Sequence, residues 1–408
     1  MSLPDKRLVN DWLAGYLEFT AEQEAPESIH LWTGMMVLAS AVRRKIYIEH
    51  EYYTIYPNLY IIIVAESAKV RKSTAMHIGM KLLMDAIPDV RIMRDSMTSQ
   101  GLVRSLNHKV SVVKGDLVAE ELRSDVTIFA DEVANLFSYE HTRAATMVIF
   151  LTRTYDCPDV YDHTTVRDSL VRLYNLYPCF IGGTDPNNLK VLPPEAIGGL
   201  TGRLIWVVEG TRRKNSPGWK QDNRGALHRK LLREYLLHDL KRVANLHGEI
   251  QVKPGAIEMY NQWYEALSTR DTKDPETDAF YNRCHTTALR LAILKAVSGS
   301  DKMLVTERDV AAGIALVEQQ LPEVKRVTMW SGGSVFEQQR ARCINFLLKS
   351  GGVATRRLLL KHMGVAAPDF DTMITTLIQD GSVEIPALKV KNEVAIKLTR
   401  EGLGRATS

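Results

Sequence analysis

Three polar residues, Lys72, Ser73 and Thr74, follow a short polar loop that links an apolar run to a helix-like segment. The apolar run covers residues 59–65, and the helix-like segment begins at residue 75. In the order strand, loop and helix, backbone amides can cradle polyphosphate, a lysine can reach the β- and γ-phosphates, and the next hydroxyl can hold Mg²⁺. The pattern therefore predicts a nucleotide site. Its predicted nucleotide-binding residues are Ser67, Ala68, Lys69, Val70, Arg71, Lys72, Ser73 and Thr74, with Ser73 also on the metal.

The loop departs from the usual phosphate-loop pattern at two positions. Glu66 and Arg71 stand where the pattern GxxxxGK[ST] has glycine. Glycine is favoured there because the backbone can need positive φ and a close approach to phosphate. An ordinary strand-turn-helix with a surface lysine, or a loop that no longer binds nucleotide, therefore stays open as the alternative.

A second polar pair stands at the end of another apolar run. Residues 125–130 read as a strand, and Asp131 and Glu132 follow it directly. At such a strand end an aspartate can orient Mg²⁺ and a glutamate can polarise the attacking water. The pair predicts a hydrolytic site with Asp131 on the metal and Glu132 as the catalytic carboxylate. An acidic turn after an ordinary strand is the alternative.

Three more residues are predicted to complete this site. Thr184 ends the apolar run 178–184, and in a parallel sheet its hydroxyl would fall beside the γ-phosphate. Arg203 stands just before a fifth apolar run, where an arginine can act across a subunit boundary in phosphoryl transfer. The helical pattern from residue 254 onward predicts a lid, in which Arg283 can sense phosphate. An exposed helix arginine is the alternative for Arg283.

Basic residues in two places are candidates for nucleic-acid contact. Residues 160–175 alternate enough to predict a hairpin, on which Arg167 and Arg172 can contact phosphates. A plain surface hairpin is the alternative. The stretch 111–125 before the acidic pair reads as a charged connection.

The C-terminal residues 335–408 hold 11 Lys and Arg and 7 Asp and Glu, so the whole formal charge of +4 lies there. Helices at 336–349, 355–362 and 368–380, followed by a small hairpin, predict a winged helix-turn-helix. Its third helix carries no Lys or Arg. The better phosphate contacts are therefore Arg356, Arg357, Lys389 and Lys391. A solvated basic face would explain the charge as well.

The composition is that of an ordinary globular chain, with 45% hydrophobic and 25% charged residues in 408. No apolar stretch reaches about 18 residues, and the first residues lack a signal-peptide pattern, so we expect a cytoplasmic protein without membrane contact. Four scattered cysteines without a CxxC pair argue against a disulfide framework and a zinc site. The predicted parts are a helical lead-in (1–50), an α/β P-loop NTPase core (51–210), a helical lid (211–330) and the winged helix (335–408).

The chain resembles phage and mobile-element ATPases that are regarded as primase-helicase or replicative helicase modules. The segments 56–60, 67–74, 131–132 and 199–204 carry this resemblance, and Arg283 with Arg290-Leu-Ala is similar to the lid of minichromosome-maintenance helicases. The resemblance implies an AAA+/RecA-like parallel sheet with a helical lid, ATP and Mg²⁺ as cofactors, single-stranded or forked DNA as partner, a homo-oligomeric ring, and a bacterial host cell. In such a lid the first arginine acts on a neighbour's nucleotide.

Three functions remain open from the sequence. The first is an ATP-dependent DNA-translocating motor, a hexameric replicative helicase of a phage or mobile element. The second is an ATP-regulated DNA-binding initiator, loader or regulator without unwinding activity. The third is a scaffold with a dead phosphate loop, which the missing glycines favour. The order of Lys72, Ser73, Asp131, Glu132, Thr184 and Arg203 favours the first two.

Overall fold

The structure is a computed structural model. Residues 1–328 form one compact unit, and residues 329–408 form a second. The finer division into four parts stays a prediction. The described residues are 6–94, 98–107, 109–114, 117–137, 141–164, 170–191, 200–215, 223–269, 275–331, 340, 343–344, 346–348, 350–365, 367–386 and 394–399.

The first unit alternates helices and short strands. Its helices are α1 (Trp12–Phe19), α2 (Glu27–Val42), α3 (Lys72–Ala86), α4 (Ser99–Leu106), α5 (Val133–Phe137), α6 (His141–Thr154), α7 (Asn223–Asn245), α8 (Pro254–Ser268), α9 (Pro275–Gly299), α10 (Glu307–Glu318) and α11 (Leu321–Ser331). Its strands are β1 (Ile46–His50), β2 (Tyr53–Ile55), β3 (Tyr60–Val64), β4 (Ile92–Arg94), β5 (Lys109–Lys114), β6 (Leu117–Leu122), β7 (Ser124–Ala130), β8 (Val160–His163), β9 (Val171–Tyr174), β10 (Leu176–Thr184), β11 (Leu204–Val208), β12 (Gly248–Glu249), β13 (Gln251–Val252) and β14 (Leu304–Val305).

Five strands form an all-parallel sheet in the order β11, β3, β10, β7, β4. β3, β7 and β10 are buried along their whole length, as expected for strands covered by helices on both faces. In the ladder Thr184 lies opposite Val64, and Gly182 lies opposite Ala130. The carboxyl ends of these three strands therefore meet at one edge. This confirms the predicted α/β class and is compatible with a Rossmann-like or P-loop-like core.

Helices cover both faces of the sheet. A Cβ on Gly183 would contact Met76 of α3, whereas a Cβ on Gly182 would contact Val133 of α5. Because neighbouring strand residues point to opposite faces, α3 and α5 lie on opposite sides. The almost wholly buried α2 packs against α3 and the sheet. The apolar character of α2 in the sequence follows from this double burial.

The helices after the sheet pack tightly on one another and on an edge strand. A Cβ on Gly313 of α10 would lie 2.4 Å from Ala288 O of α9, so these helices need glycine at their contact. The Gln320 side chain accepts a 2.9 Å hydrogen bond from the Trp206 amide of β11. This bond protects a sheet edge that would otherwise present unpaired groups. α10 begins with a capping box formed by Thr306 and Asp309.

The stretch predicted as a charged connection instead forms an antiparallel hairpin of β5 and β6. Its charged residues obscured an alternating, valine-rich pattern on either side of a Gly-Asp pair. The hairpin predicted at 160–175 is confirmed by the antiparallel pairing of β8 and β9.

The described part of the second unit contains helical residues between 340 and 348, a small sheet and two further helices. The strands and these two helices are β15 (Val353–Thr355), α12 (Arg356–Met363), α13 (Ala367–Gln379), β16 (Val383–Glu384) and β17 (Ala395–Leu398). The sheet is antiparallel in the order β15, β17, β16. Phe370, Met373 and Leu377 of α13 pack with Leu359 of α12 and Ile396 of β17 in a single apolar core. The winged helix-turn-helix stays a prediction.

A buried histidine lies where α2 meets the end of α1. His30 is fully buried, its ring packs edge-on against Tyr16, and its Nε2 lies 3.1 Å from Gln23 Oε1. Burial, with a smaller contribution from the charge of Arg213, lowers the pKa of His30 to about 4. The unfolded histidine binds a proton below about pH 6.5. Acid therefore favours the unfolded chain.

We expect the free energy of unfolding to fall by about 2 kcal/mol between pH 7 and pH 5 through His30, because only the unfolded state gains its proton in that range. Urea unfolding at the two pH values measures this. His30→Gln should remove most of the dependence, whereas His228→Gln, which replaces an exposed histidine, should leave it intact. An equal pH dependence in wild type and His30→Gln would contradict the assignment.

Candidate nucleotide-binding site

The loop between β3 and α3 has a left-handed backbone at two non-glycine residues. The φ angle is 60° at Ala68 and 57° at Arg71, which is the N-cap of α3. Glu66, which the structure also describes, does not have a left-handed backbone. A left-handed φ costs a residue with a Cβ roughly 1–2 kcal/mol. Of the two missing glycines, only the one at Arg71 therefore has a conformational cost, and Ala68 adds a second that the pattern did not indicate.

Lys72 lies at the carboxyl edge of the sheet. Its Nζ donates to Ala65 O at 2.7 Å and to Thr184 O at 2.8 Å, at the ends of β3 and β10. Burial lowers the pKa of Lys72, and the charges of Glu132 and Asp185 oppose that shift. These two bonds use two of the three ammonium protons, so a third can meet an anionic oxygen.

The Thr184 hydroxyl and the Glu132 carboxylate are joined at the same edge. Thr184 Oγ1 donates to Glu132 Oε1 at 2.9 Å. Beneath them, a Cβ on Gly183 would lie 3.2 Å from Lys72 Cε and 3.1 Å from Asp131 O. Glycine therefore permits the close approach of the lysine and the acidic turn. Gly183 was not predicted, although a Gly-Gly pair inside an apolar strand indicates such an approach.

One carboxylate oxygen of Asp131 points at His77, which was not among the predicted site residues. Asp131 Oδ1 lies 3.5 Å from His77 Nδ1, and within the described part of the chain this buried oxygen accepts no hydrogen bond. His77 Nδ1 instead lies 2.8 Å from the carbonyl of Ser73, one helical turn earlier. A buried oxygen without a donor fits a cation ligand, and Ser73 and Asp131 are the oxygen donors that Mg²⁺ takes beside phosphate.

Asp185 ties the start of the loop to the end of β10. Its Oδ2 accepts a 2.9 Å bond from the Ser67 amide, and its Oδ1 accepts one of 3.0 Å from the Asn187 amide. These backbone bonds, the one from Asn187 first, lower the pKa of Asp185. Asp185 was not predicted, because its loop partner is far away in sequence. Its place immediately after Thr184 is the only indication that the chain itself offers.

Arg203 and Arg283 lie at the opposite edge of the sheet. Arg203 directly precedes Leu204, which pairs with Tyr60 at the amino end of β3. Burial lowers the pKa of Arg203, and the charge of Arg283 adds to the shift. Arg283 Nη1 lies 3.8 Å from Asp156 Oδ2. The structure therefore brings the two arginines close together but not to Lys72 of the same chain.

A third arginine fixes α9 to the amino end of the sheet. The buried Arg290 donates to Asn58 Oδ1 at 2.5 Å, lies 3.1 Å from Asp156 Oδ1 and stacks 4.0 Å over the Tyr155 ring. Beside it a cleft of 730 Å³ opens, lined among others by Arg283 and Tyr53. Arg290 thus orders the segment that carries Arg283.

The predicted nucleic-acid residues occupy different settings. Arg172 pairs with both oxygens of Asp162, at 2.7 and 2.8 Å. In the second unit, Arg356 pairs with both oxygens of Asp371, and Arg357 is exposed. The remaining candidates, Arg167, Lys389 and Lys391, lie outside the described residues.

The exposed face of α13 offers hydroxyls rather than charge. Thr372, Thr375 and Thr376 each donate their hydroxyl to the carbonyl four residues earlier, at 2.8–3.0 Å. These hydroxyl donors are therefore already used within the helix.

No protein-family model matches the chain, and none of the curated proteins matches it significantly. Across the residues that the structure describes, no helix is both long and apolar enough to cross a membrane. The same residues contain no group of three or more His, Cys, Asp or Glu that could hold a metal.

Proposed function

We propose that the chain hydrolyses ATP to move along DNA, as a ring-forming helicase of the phage or mobile-element type in the cytoplasm of a bacterial host. One observation carries the proposal. Lys72, Thr184 and Glu132 converge at the carboxyl ends of the adjacent strands β3, β10 and β7, with Ser73 and Asp131 next to them. Ligands bind at this edge in open parallel sheets.

Each of these residues has a distinct task in the proposed reaction. Bound ATP with Mg²⁺ supplies a γ-phosphoryl group that can pass to water. The loop residues 67–74, with Lys72 among them, would bind the phosphates, and Ser73 with Asp131 would hold the metal. Glu132 orients and deprotonates the water, while Thr184 fixes the Glu132 carboxylate through its 2.9 Å bond.

The topology supports an AAA+/RecA-like P-loop core. β10 lies between β3, which leads to the loop, and β7, which ends before the acidic pair. Thr184 at the end of β10 therefore lies between Lys72 and Glu132. The left-handed Arg71 gives the loop the backbone that glycine would otherwise supply, which speaks against the scaffold alternative. The initiator or regulator alternative would use the same site without unwinding.

The position of Arg203 and Arg283 supports a ring. β3 is about 13 Å long at 3.3 Å per residue, so arginines at its amino end act best on the nucleotide of a neighbouring copy. A head-to-tail contact of this kind forms a ring when the rotation between neighbouring copies closes. We propose a hexamer in which these arginines complete the neighbour's site.

We expect Lys72→Ala to lose nucleotide affinity and Glu132→Gln to bind ATP without hydrolysing it, because the first removes a phosphate cation and the second removes the base. Phosphate release with and without forked DNA measures both. Wild-type hydrolysis should rise with DNA. Lys325→Ala, far from the loop in sequence, is the control and should hydrolyse normally. Wild-type rates in Glu132→Gln would refute the catalytic assignment.

Mixing Arg203→Ala with Lys72→Ala protein should restore hydrolysis at about a quarter of the interfaces, because random assembly pairs an intact loop with an intact arginine there. Lys72→Ala mixed with Glu132→Gln is the control. Both residues act in the nucleotide site of the same subunit, so every site in the mixed ring still lacks one of them. Arg283→Ala can replace Arg203→Ala in the same assay. No recovery in rings shown by mass to be mixed would count against action between subunits.

The second unit is proposed to be a winged helix that holds duplex DNA mainly by phosphates. Replacing Arg356, Arg357, Lys389 and Lys391 with alanine in the full chain should weaken duplex binding and lower the salt slope of log K by about 0.9 for each phosphate that is no longer neutralised. Titration of labelled duplex at several salt concentrations measures this, with Lys302→Ala as control. An unchanged slope would leave a protein-contact role.

A further inference from the structure

Two charged side chains contact the phosphate loop from outside the strand, loop and helix that contain it. Glu24, between α1 and α2, accepts a 2.9 Å bond at Oε2 from Arg71 Nε. Arg212, which follows β11, donates to Lys69 O at 2.5 Å and to Ala68 O at 3.3 Å. Glu24 and Arg212 also approach each other, with 3.7 Å between Oε1 and Nη1. We call these interactions of Glu24 and Arg212 with the loop, and with each other, the brace.

The brace meets the loop at its two left-handed residues. One bond fixes the side chain of Arg71, and another fixes the carbonyl of Ala68. Each of these residues carries the cost of a positive φ with a Cβ. Charge-assisted hydrogen bonds to the loop offset part of that cost.

Glu24 is the fixed point of this arrangement. Its side chain is 16% exposed, against 45% for Arg71 and 32% for Arg212. Its carbonyl also accepts a 3.0 Å bond from the Arg213 amide, so both its backbone and its side chain are held. A carboxylate held in this way can therefore set the position of the two more exposed guanidinium groups.

Two neighbouring glutamates form ion pairs with the residues that follow Arg212. Glu27 pairs with Arg213 at 3.1 Å, and Glu22 pairs with Lys214 at 3.0 Å. Both glutamates are about half exposed, at 58% and 49%. Such surface pairs contribute little. They provide matched controls for Glu24 on the same segment.

We propose that Glu24 is a positioning residue that holds this glycine-poor loop in the conformation that binds phosphate. Arg212 works with it on the loop carbonyls. The inference rests on the proposed nucleotide binding and extends it to a segment some 50 residues from the loop, which no local motif includes. The proposal predicts that the Glu24 carboxylate contributes little to nucleotide affinity once position 71 is glycine.

A double-mutant cycle in the full chain tests this. The variants are Glu24→Gln, Arg71→Gly and the two combined, and the measurement is the affinity for a fluorescent ATP analogue with Mg²⁺. We expect Glu24→Gln to weaken binding about fivefold in the wild-type chain but less than about twofold when Arg71 is already glycine. Glu27→Gln should change neither value. An equal loss from Glu24→Gln in both backgrounds would overturn the proposal.

Hydrogen exchange in the nucleotide-free protein gives a second readout that does not depend on binding. Glu24→Gln should speed exchange of the amides in residues 66–72, and Arg71→Gly should reduce that effect, while exchange in α7 stays unchanged. If wild type binds no nucleotide but this pattern holds, the proposed function fails and the brace stands. If Glu24→Gln leaves loop exchange unchanged, the brace fails. Arg212→Lys, which cannot span both carbonyls, repeats the test where Glu24→Gln does not fold.

Discussion

The parallel ladder that joins β10 to β3 and β7 is the constraint on which the candidate site depends. With Thr184 opposite Val64 and Gly182 opposite Ala130, the three strands end in step. A slip of one residue would turn Thr184 to the other face and move it away from Glu132. The buried Asn58 holds the other end of the ladder, where its amide donates to Tyr155 O at 2.8 Å and Pro178 O at 3.2 Å. Arg290 adds α9 to the same point.

The sequence allowed the prediction of residues that sit at element ends. Lys72, Asp131 and Thr184 each follow an apolar run, and parallel strands bring such ends together wherever the sheet order allows it. The strand order itself was not predictable, since β3, β7, β10 and β11 offer similar apolar runs. It depends on long-range pairing rather than on local pattern. Arg203 was predicted to stand just before a strand. Because parallel strands align their amino ends, this position puts Arg203 at the amino edge of the sheet.

The residues that escaped prediction act through contacts between distant segments. Glu24, Arg212 and Asp185 are polar residues in turns, with no periodic spacing that distinguishes them from solvated charge. His77 was visible only as one of several polar residues in α3. What they share is a partner in the loop or the acidic pair, and such a partner becomes apparent only once the chain has folded. The missing glycines were the one local sign that the loop needed outside support.

The two edges of the sheet divide the proposed chemistry between them. Lys72 is fixed at the carboxyl edge by the carbonyls of Ala65 and Thr184, while Arg203 and Arg283 share Asp156 at the amino edge. Two cations that stabilise one phosphate must both lie within hydrogen-bond reach of it, roughly 3 Å. Strands of about 13 Å keep these groups apart within a single chain. Under the proposed function, a complete site therefore requires two copies, one with its carboxyl edge and the other with its amino edge at the nucleotide. Hydrolysis then depends on the interface between them.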